Sequence, residues 1–163
     1  PALHYELLNG TIYAVSPAKP PRAGVVTFFS NRFRGLDAEK YLIRMQETLE
    51  IEPDSAPQPD VAIVVFRNDY YGASHPTGKD AALVIEVGDT ERNPLEKMRD
   101  YMRDGRIAIA WRIDIPGRCV EIWCPINATD PLAILHGSDD FNFAETVFTV
   151  DEVFTTVLER SVR

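Results

Sequence analysis

Two carboxylates stand where the sequence predicts buried strands. Asp60 directly precedes the apolar run 61–66. Glu86 lies near the end of a second apolar run, 81–87. Uninterrupted apolar runs of this length are typical of strands that are buried on both faces. A carboxylate in a dry interior needs a cationic partner, a proton or a metal ion to compensate its charge. Glu86 is therefore the residue whose presence most needs an explanation.

An amine follows on a predicted helix. Asn93 is followed by a proline, and Glu96 lies three positions after Asn93. This pattern predicts the start of a helix, with Asn93 as the N-cap and Glu96 closing a capping box. Gly105 predicts the end of this helix. Lys97 and Tyr101 are one turn apart and lie together at the margin of the apolar stripe. The sequence thus leads from a strand carboxylate directly to a helical ammonium group.

These residue types together indicate metal-assisted phosphodiester hydrolysis. If the two predicted strands are neighbours, Asp60 and Glu86 converge on one divalent cation and Lys97 reaches the same point. Mg²⁺ prefers oxygen ligands and is often held by one or two carboxylates plus substrate phosphate oxygens. The ion activates water, and a nearby ammonium orients that water or offsets developing charge. Two structural alternatives stay open, namely a Glu86–Lys97 ion pair that only satisfies buried charge, and Asp60 as a turn residue.

The elements that must position these residues follow from turn signals and periodicity. Asn9-Gly10 between two β-prone segments predicts a hairpin of residues 4–8 and 11–15. Thr149 and Glu152 predict a capping box for a final helix over 150–159. The other predicted elements are a helix over 21–35, one or two strands within 40–51, a loop over 53–59, a hairpin of 107–114 and 119–123 with a type II turn, and strands at 132–135 and 142–148.

Composition favours one domain over residues 1–163. The 163 residues are 45% hydrophobic and 26% charged, and a chain of this length buries enough surface to fold without disulfides or metal. No apolar run approaches the roughly 18 residues of a membrane span, and residues 1–9 lack the basic and apolar regions of a secretory signal. We therefore expect a cytoplasmic protein without membrane contact.

Cysteines and histidines add no second site. Cys119 and Cys124 are an odd number of positions apart in or near one predicted strand, so they point to opposite faces and are expected to stay reduced. His4, His75 and His136 are scattered, without the spacing of metal ligands. The net charge of −8 opposes non-specific binding to nucleic acid, although a metal site concentrates carboxylates and basic residues can still cluster.

Seven short segments occur in an order that resembles a known family. They are 5–10 (YELLNG), 15–17 (VSP), 58–62 (QPDVA), 75–76 (HP), 83–89 (LVIEVGD), 96–101 (EKMRDY) and 110–114 (AWRID). Together they resemble the Uma family of endonucleases, within the PD-(D/E)xK restriction-endonuclease-like superfamily. The resemblance extends over nearly the whole chain, from the hairpin to the final helix.

The resemblance implies an α/β fold of mixed α+β type, in which helices flank a central mixed sheet and a β-hairpin lies at the N-terminus. It implies that Asp60 and Glu86 hold Mg²⁺ or Mn²⁺, and that Glu6 completes the acidic cluster. Lys97 matches the lysine of a variant form in which this residue has migrated to the following helix, with Tyr101 one turn on. The implied activity is cleavage of DNA, and cleavage of two strands favours a homodimer.

The chain departs from the family pattern at three places. Gly88 takes the position where the superfamily usually has its lysine, residues 20–35 contain no histidine, and the loop from Asp89 to Lys97 is short. These departures keep a second interpretation open, in which the fold is retained as a catalytically inactive module for binding protein or nucleic acid. A small phosphate ester as the substrate is a third.

Overall fold

The computed structural model describes residues 4–90 and 92–159 and shows a mixed α+β fold around a six-stranded sheet. The strands are β1 (His4–Leu8), β2 (Thr11–Val15), β3 (Tyr41–Arg44), β4 (Val61–Val65), β5 (Ala81–Gly88), β6 (Ala110–Asp114), β7 (Cys119–Trp123), β8 (Ala133–His136), β9 (Asp140–Phe143) and β10 (Thr146–Thr149). The helices are α1 (Pro20–Arg32), α2 (Leu95–Asp104) and α3 (Val150–Phe154). The predicted mixed sheet with flanking helices is confirmed.

The central sheet has the strand order β3-β4-β5-β6-β7-β8. Within the central sheet β5 and β6 form the parallel pair. The helix α2 connects them and returns the chain to the end of the sheet at which β5 began. The two predicted apolar runs, β4 and β5, are antiparallel neighbours, and Val61 pairs with Ile85. Asp60 directly precedes Val61 and Glu86 directly follows Ile85. Because the strands are antiparallel, this register brings the two carboxylates to one end of the sheet.

Side chains of β5 alternate between two cores, as the pleat requires. Ile85 and Val87 pack on the face covered by α1, α3 and the β9-β10 hairpin, where Phe29 and Trp111 are fully buried. The other face is covered by α2, which buries Met98 and Met102 together with Tyr101, Val84 and Trp123. By the same alternation Glu86 lies on the α2 face, where the ammonium group of that helix can reach it.

The N-terminal hairpin of β1 and β2 is confirmed with the predicted bounds. Asn9 and Gly10 both have positive φ, of 48° and 73°, which is the geometry of a type I′ turn. The turn is attached to the body because the Gly10 amide donates to the Asp54 carbonyl at 2.9 Å. The Asn9 amide donates to Ser55 Oγ at 2.9 Å. β1 is therefore held where Glu6 faces inward.

Three local predictions need correction. The helix α2 begins at Leu95 and not at Pro94, and no capping box forms, although Asn93 Oδ1 accepts a hydrogen bond from the Leu95 amide at 3.2 Å. The turn between β6 and β7 is not type II, because the positive φ of 48° belongs to Arg118. A Cβ at Gly117 would lie 2.6 Å from Asp114 Oδ2, so the Asp114 side chain would have to shift to admit one. Residues 142–148 span two strands, β9 and β10, of a separate hairpin.

The ends of the helices agree better with the sequence. Gly105 has φ of 70° and ends α2, as predicted. Thr149 caps α3, because its side chain accepts a hydrogen bond from the Glu152 amide at 3.2 Å. A helical segment at 155–159 completes the predicted final helix.

Candidate active site

Asp60 precedes β4 and is completely buried. Its Oδ2 atom accepts a hydrogen bond from the Val87 amide of the neighbouring strand at 2.8 Å. Its Oδ1 atom faces two guanidinium groups, with Arg92 Nη1 at 3.4 Å and Arg22 Nε at 3.7 Å. The hydrogen bond from the Val87 amide fixes the Asp60 carboxylate, so that Oδ1 faces the guanidinium groups of Arg92 and Arg22.

Glu86, on β5, is also completely buried. Oε1 accepts a hydrogen bond from the Tyr101 hydroxyl at 2.5 Å and lies 2.7 Å from Lys97 Nζ. Oε2 lies 2.9 Å from Arg92 Nη2. Burial, with Glu86 beside it, holds the pKa of the Tyr101 hydroxyl well above its usual range, so this group stays a donor at neutral pH. Each oxygen of Glu86 thus has a charged or strongly polar partner.

Lys97 joins the N-terminal hairpin to this carboxylate. Its ammonium group is buried and lies 2.9 Å from Glu6 Oε2, in addition to its contact with Glu86. It also donates to the Gln58 carbonyl at 3.3 Å, and the Gln58 amide donates to Glu6 Oε2 at 3.2 Å. Asp60, Glu86, Lys97 and Glu6, the four residues singled out from the sequence, therefore lie in one connected network.

Two arginines of the network were missed in the sequence. Arg92 lies in the short loop between β5 and α2, and Arg22 lies in the first turn of α1. Burial lowers the pKa of the Arg92 guanidinium, but Glu86 and Asp60 outweigh that effect and raise the pKa above its usual range. The side chain of Arg22 is 5% exposed, and within the described part of the chain its Nε has no hydrogen-bond partner.

Charge balance was the signal that would have found them. The buried carboxylates of Glu6, Asp60 and Glu86 need three positive charges nearby, and Lys97 supplies one. Because burial of an unpaired charge is costly, the remaining cations had to come from the segments that pack on the site. The first helix, in which the sequence shows no histidine, supplies Arg22.

The donor set fits a hard divalent cation. Asp60 Oδ1 and Glu86 Oε2 both face the guanidinium of Arg92, so positive charge lies between two carboxylate oxygens. Oxygen donors of this kind suit Mg²⁺ or Mn²⁺. Over residues 4–90 and 92–159, no three or more His, Cys, Asp or Glu side chains are grouped to hold an ion. An ion here would take two protein carboxylates and complete its shell with water and phosphate oxygens.

Two cavities open at the network. The larger, of about 310 Å³, is lined by residues that include Glu6, Arg22, Arg92 and Lys97. The smaller, of about 200 Å³, is lined by residues that include Asp60 and the same two arginines. Glu6, Asp60, Lys97 and the two arginines therefore line space that a ligand can enter, whereas Glu86 is a lining residue of neither of these two cavities.

Gly88, at the position of the lysine that the superfamily usually carries, has close neighbours on its Cβ side. A Cβ at this position would lie 3.1 Å from Pro94 Cδ and 3.3 Å from the Arg92 carbonyl oxygen. A side chain at this position would therefore force its neighbours to shift by a few tenths of an ångström, and the ammonium group of the site comes from Lys97 instead.

The other singled-out side chains stay outside the network. Cys119 and Cys124 are free thiols. In the described segments, no helix has the length and apolar character that a membrane crossing requires.

Comparison with known proteins gives one family and one fold. Residues 1–148 match the family model Uma2, described as "Putative restriction endonuclease". A solved structure of a protein from Anabaena variabilis, described as a putative nuclease belonging to DUF820, superposes with a TM-score of 0.75 at 10% sequence identity. The match covers 94% of this chain and 91% of that one. No curated protein matches the sequence.

Proposed function

Because the chain belongs to the Uma2 family, we propose that it is a metal-dependent endonuclease that hydrolyses phosphodiester bonds of DNA. One observation carries this proposal. Asp60 and Glu86 lie at the same end of neighbouring strands, and the ammonium group of Lys97 lies 2.7 Å from Glu86. A carboxylate pair with an adjacent buried amine is what metal-assisted attack on a phosphodiester requires.

The roles follow from the contacts. Asp60 Oδ1 and Glu86 Oε2 would hold Mg²⁺ or Mn²⁺, which when bound polarises the phosphodiester and acidifies a water molecule. Lys97 would orient the attacking water and offset the negative charge that develops on the phosphate oxygens. Tyr101 fixes Oε1 of Glu86, so that Oε2 keeps its direction. Glu6 is proposed as a positioning residue, because it holds the ammonium of Lys97 from the other side.

DNA is the proposed substrate, although the net charge of −8 disfavours binding it without specific contacts. The cavity offers cations locally, because Arg22, Arg92 and Lys97 line it with Lys19 beside the carboxylates of Glu6, Asp89 and Glu96, and guanidinium and ammonium groups are donors for phosphate oxygens. Cleavage of both strands of a duplex needs two sites, so we propose a homodimer on the DNA. Action on DNA also agrees with a cytoplasmic protein.

The test is cleavage of supercoiled plasmid in Mg²⁺ or Mn²⁺. The wild-type protein is expected to nick the plasmid, and chelation of the metal is expected to stop it. Asp60→Asn keeps an acceptor for the Val87 amide but lowers the charge at the ion, so nicking should fall by about a hundredfold or more. Glu145→Gln, on the exposed turn between β9 and β10, makes the same change of charge far from the site and should cleave like the wild type. Equal nicking by the Asp60 variant would refute the assignment.

A non-catalytic module is the second candidate, and one observation favours it. The carboxylates of Glu6, Asp60 and Glu86 already have Lys97, Arg22 and Arg92 as partners, so the network is balanced without an ion. Calorimetry separates the two functions. The nuclease needs Mn²⁺ binding that depends on Asp60 and Glu86, whereas the module needs none.

A further inference from the structure

The guanidinium of Arg92 bridges the two carboxylates of the site. Nη2 lies 2.9 Å from Glu86 Oε2, and Nη1 lies 3.4 Å from Asp60 Oδ1. The other oxygens are engaged elsewhere, since Asp60 Oδ2 takes the Val87 amide and Glu86 Oε1 takes Tyr101 and Lys97. Arg92 therefore contacts the remaining oxygen of each carboxylate and supplies positive charge to both, while Arg22 Nε also lies 3.7 Å from Asp60 Oδ1.

We propose that Arg92 takes the place of the divalent cation in the ion-free protein, and that Mg²⁺ or Mn²⁺ binds by displacing the guanidinium. This inference rests on the proposed function, because it concerns the same carboxylates. An ion and a guanidinium on the same two oxygens would bring like charges within a few ångströms of each other, at a large cost in a buried site. The two cations therefore exclude one another, and Arg92 sets the affinity of the metal site.

The loop allows the side chain to leave while its backbone stays. The Arg92 amide donates to Asp89 Oδ1 at 2.9 Å, and the Asp89 amide donates to the Arg92 carbonyl at 3.0 Å. These two bonds hold the turn between β5 and α2. The side chain itself is 17% exposed and lines the cavity of about 310 Å³, which gives the displaced guanidinium a solvated place next to the site. The movement is thus confined to one flexible side chain.

The test is Mn²⁺ binding, measured by isothermal titration calorimetry on the full chain without DNA. Arg92→Gln removes the competing charge, and we expect the affinity for Mn²⁺ to rise by about tenfold or more, because the ion no longer has to break an ion pair to buried carboxylates. The matched control is Arg32→Gln. Arg32 forms an ion pair with Glu152 on α3, so the control makes the same change of charge away from the site and should bind Mn²⁺ as the wild type does.

Stability gives a second readout. Without metal, Arg92→Gln should melt at a lower temperature than the wild type, because Asp60 and Glu86 lose a partner, and Mn²⁺ should raise its melting temperature more. Arg92→Lys keeps the positive charge, but an ammonium group lacks the forked donors that contact both carboxylates at once. Its Mn²⁺ affinity should therefore lie between those of the wild type and Arg92→Gln. This variant serves as the test if Arg92→Gln does not fold.

The outcomes separate the two proposals. Binding of Mn²⁺ with the same or lower affinity in Arg92→Gln overturns the displacement by Arg92 and leaves the metal site intact. Binding only after the substitution shows that the guanidinium blocks the site and is not displaced, which overturns displacement and leaves the wild type without the ion that the proposed function needs. If Mn²⁺ binds to neither protein while both are folded, the metal site of the proposed function fails, and the inference fails with it.

Discussion

The ammonium of Lys97 lies 2.7 Å from Oε1 of Glu86, which joins the helix α2 to the strand β5 that precedes it. The same ammonium lies 2.9 Å from Glu6 on the N-terminal hairpin. An ion pair of this kind satisfies buried charge and also places an amine where a nuclease needs one. The structural role and the catalytic role of Lys97 predict different results when Lys97, the residues it contacts or the residues near it are substituted.

Lys97→Met tests the catalytic role of the amine, because methionine keeps most of the length but none of the charge. Nicking should be lost, and the free energy of unfolding should fall by about 3–5 kcal/mol, since two buried carboxylates lose a partner. Lys40→Met is the control. Lys40 is exposed and lies 3.6 Å from Asp37, so its loss should cost less than about 1 kcal/mol and leave nicking unchanged. A Lys97→Met protein that still cleaves plasmid would leave the pair with a structural role only.

Glu6→Gln tests the contact from the hairpin. Glutamine still accepts a hydrogen bond but no longer offsets the charge of Lys97, so we expect kcat to fall about tenfold with KM for DNA unchanged. Steady-state kinetics on plasmid at saturating Mn²⁺ measures both constants. Glu6→Asp, which keeps the charge, should recover part of the loss. If KM changes instead and kcat does not, Glu6 contacts the substrate and does not position Lys97.

Tyr101→Phe tests the buried hydroxyl through pH. Burial and Glu86 raise the pKa of Tyr101 in the folded protein, whereas the unfolded chain ionises near its usual value of about 10. The stability that depends on the protonated hydroxyl is therefore complete below pH ~10 and is lost as the pH rises further towards the folded pKa. Above pH ~10 the wild type should lose about 1.4 kcal/mol per pH unit more than the variant. Urea unfolding between pH 9 and 11 measures the difference, and parallel curves would contradict it.

Gly88→Lys tests whether the usual lysine position is available. A Cβ at residue 88 would lie 3.1 Å from Pro94 and 3.3 Å from the backbone oxygen of Arg92, so the substitution should lower the melting temperature. Combined with Lys97→Met it should not restore nicking. Gly35→Lys is the control for adding a lysine, since a Cβ there would have no neighbour within 4 Å. Recovery of cleavage in the double variant would show that the strand position can supply the amine.

Much of the site followed from local sequence signals. Asn9-Gly10 predicted the hairpin that carries Glu6, and the two apolar runs predicted the strands that carry Asp60 and Glu86. The two carboxylates converge only if these strands are neighbours. The register of β4 and β5 confirms that they are. The ion pair of Lys97 with Glu86 followed from placing the lysine on the next helix.

The parts that were missed depend on tertiary packing. Arg92 lies in a loop and Arg22 in a helix turn, and neither position carries a periodic signal for burial. Their partners are Asp60, which precedes β4, and Glu86 on β5. Both are distant from Arg22 in the chain, so only an account of the buried charges could have required the arginines.

A crystal soaked in Mn²⁺ tests the central claim most directly, because the anomalous signal locates the ion. The account predicts one peak within about 2.0–2.3 Å of both Asp60 Oδ1 and Glu86 Oε2, the distance of a carboxylate ligand, with Lys97 still beside Glu86 and the Arg92 guanidinium moved into the cavity. A peak elsewhere, or no peak while Arg92 keeps its bridge between the two carboxylates at saturating Mn²⁺, would contradict it.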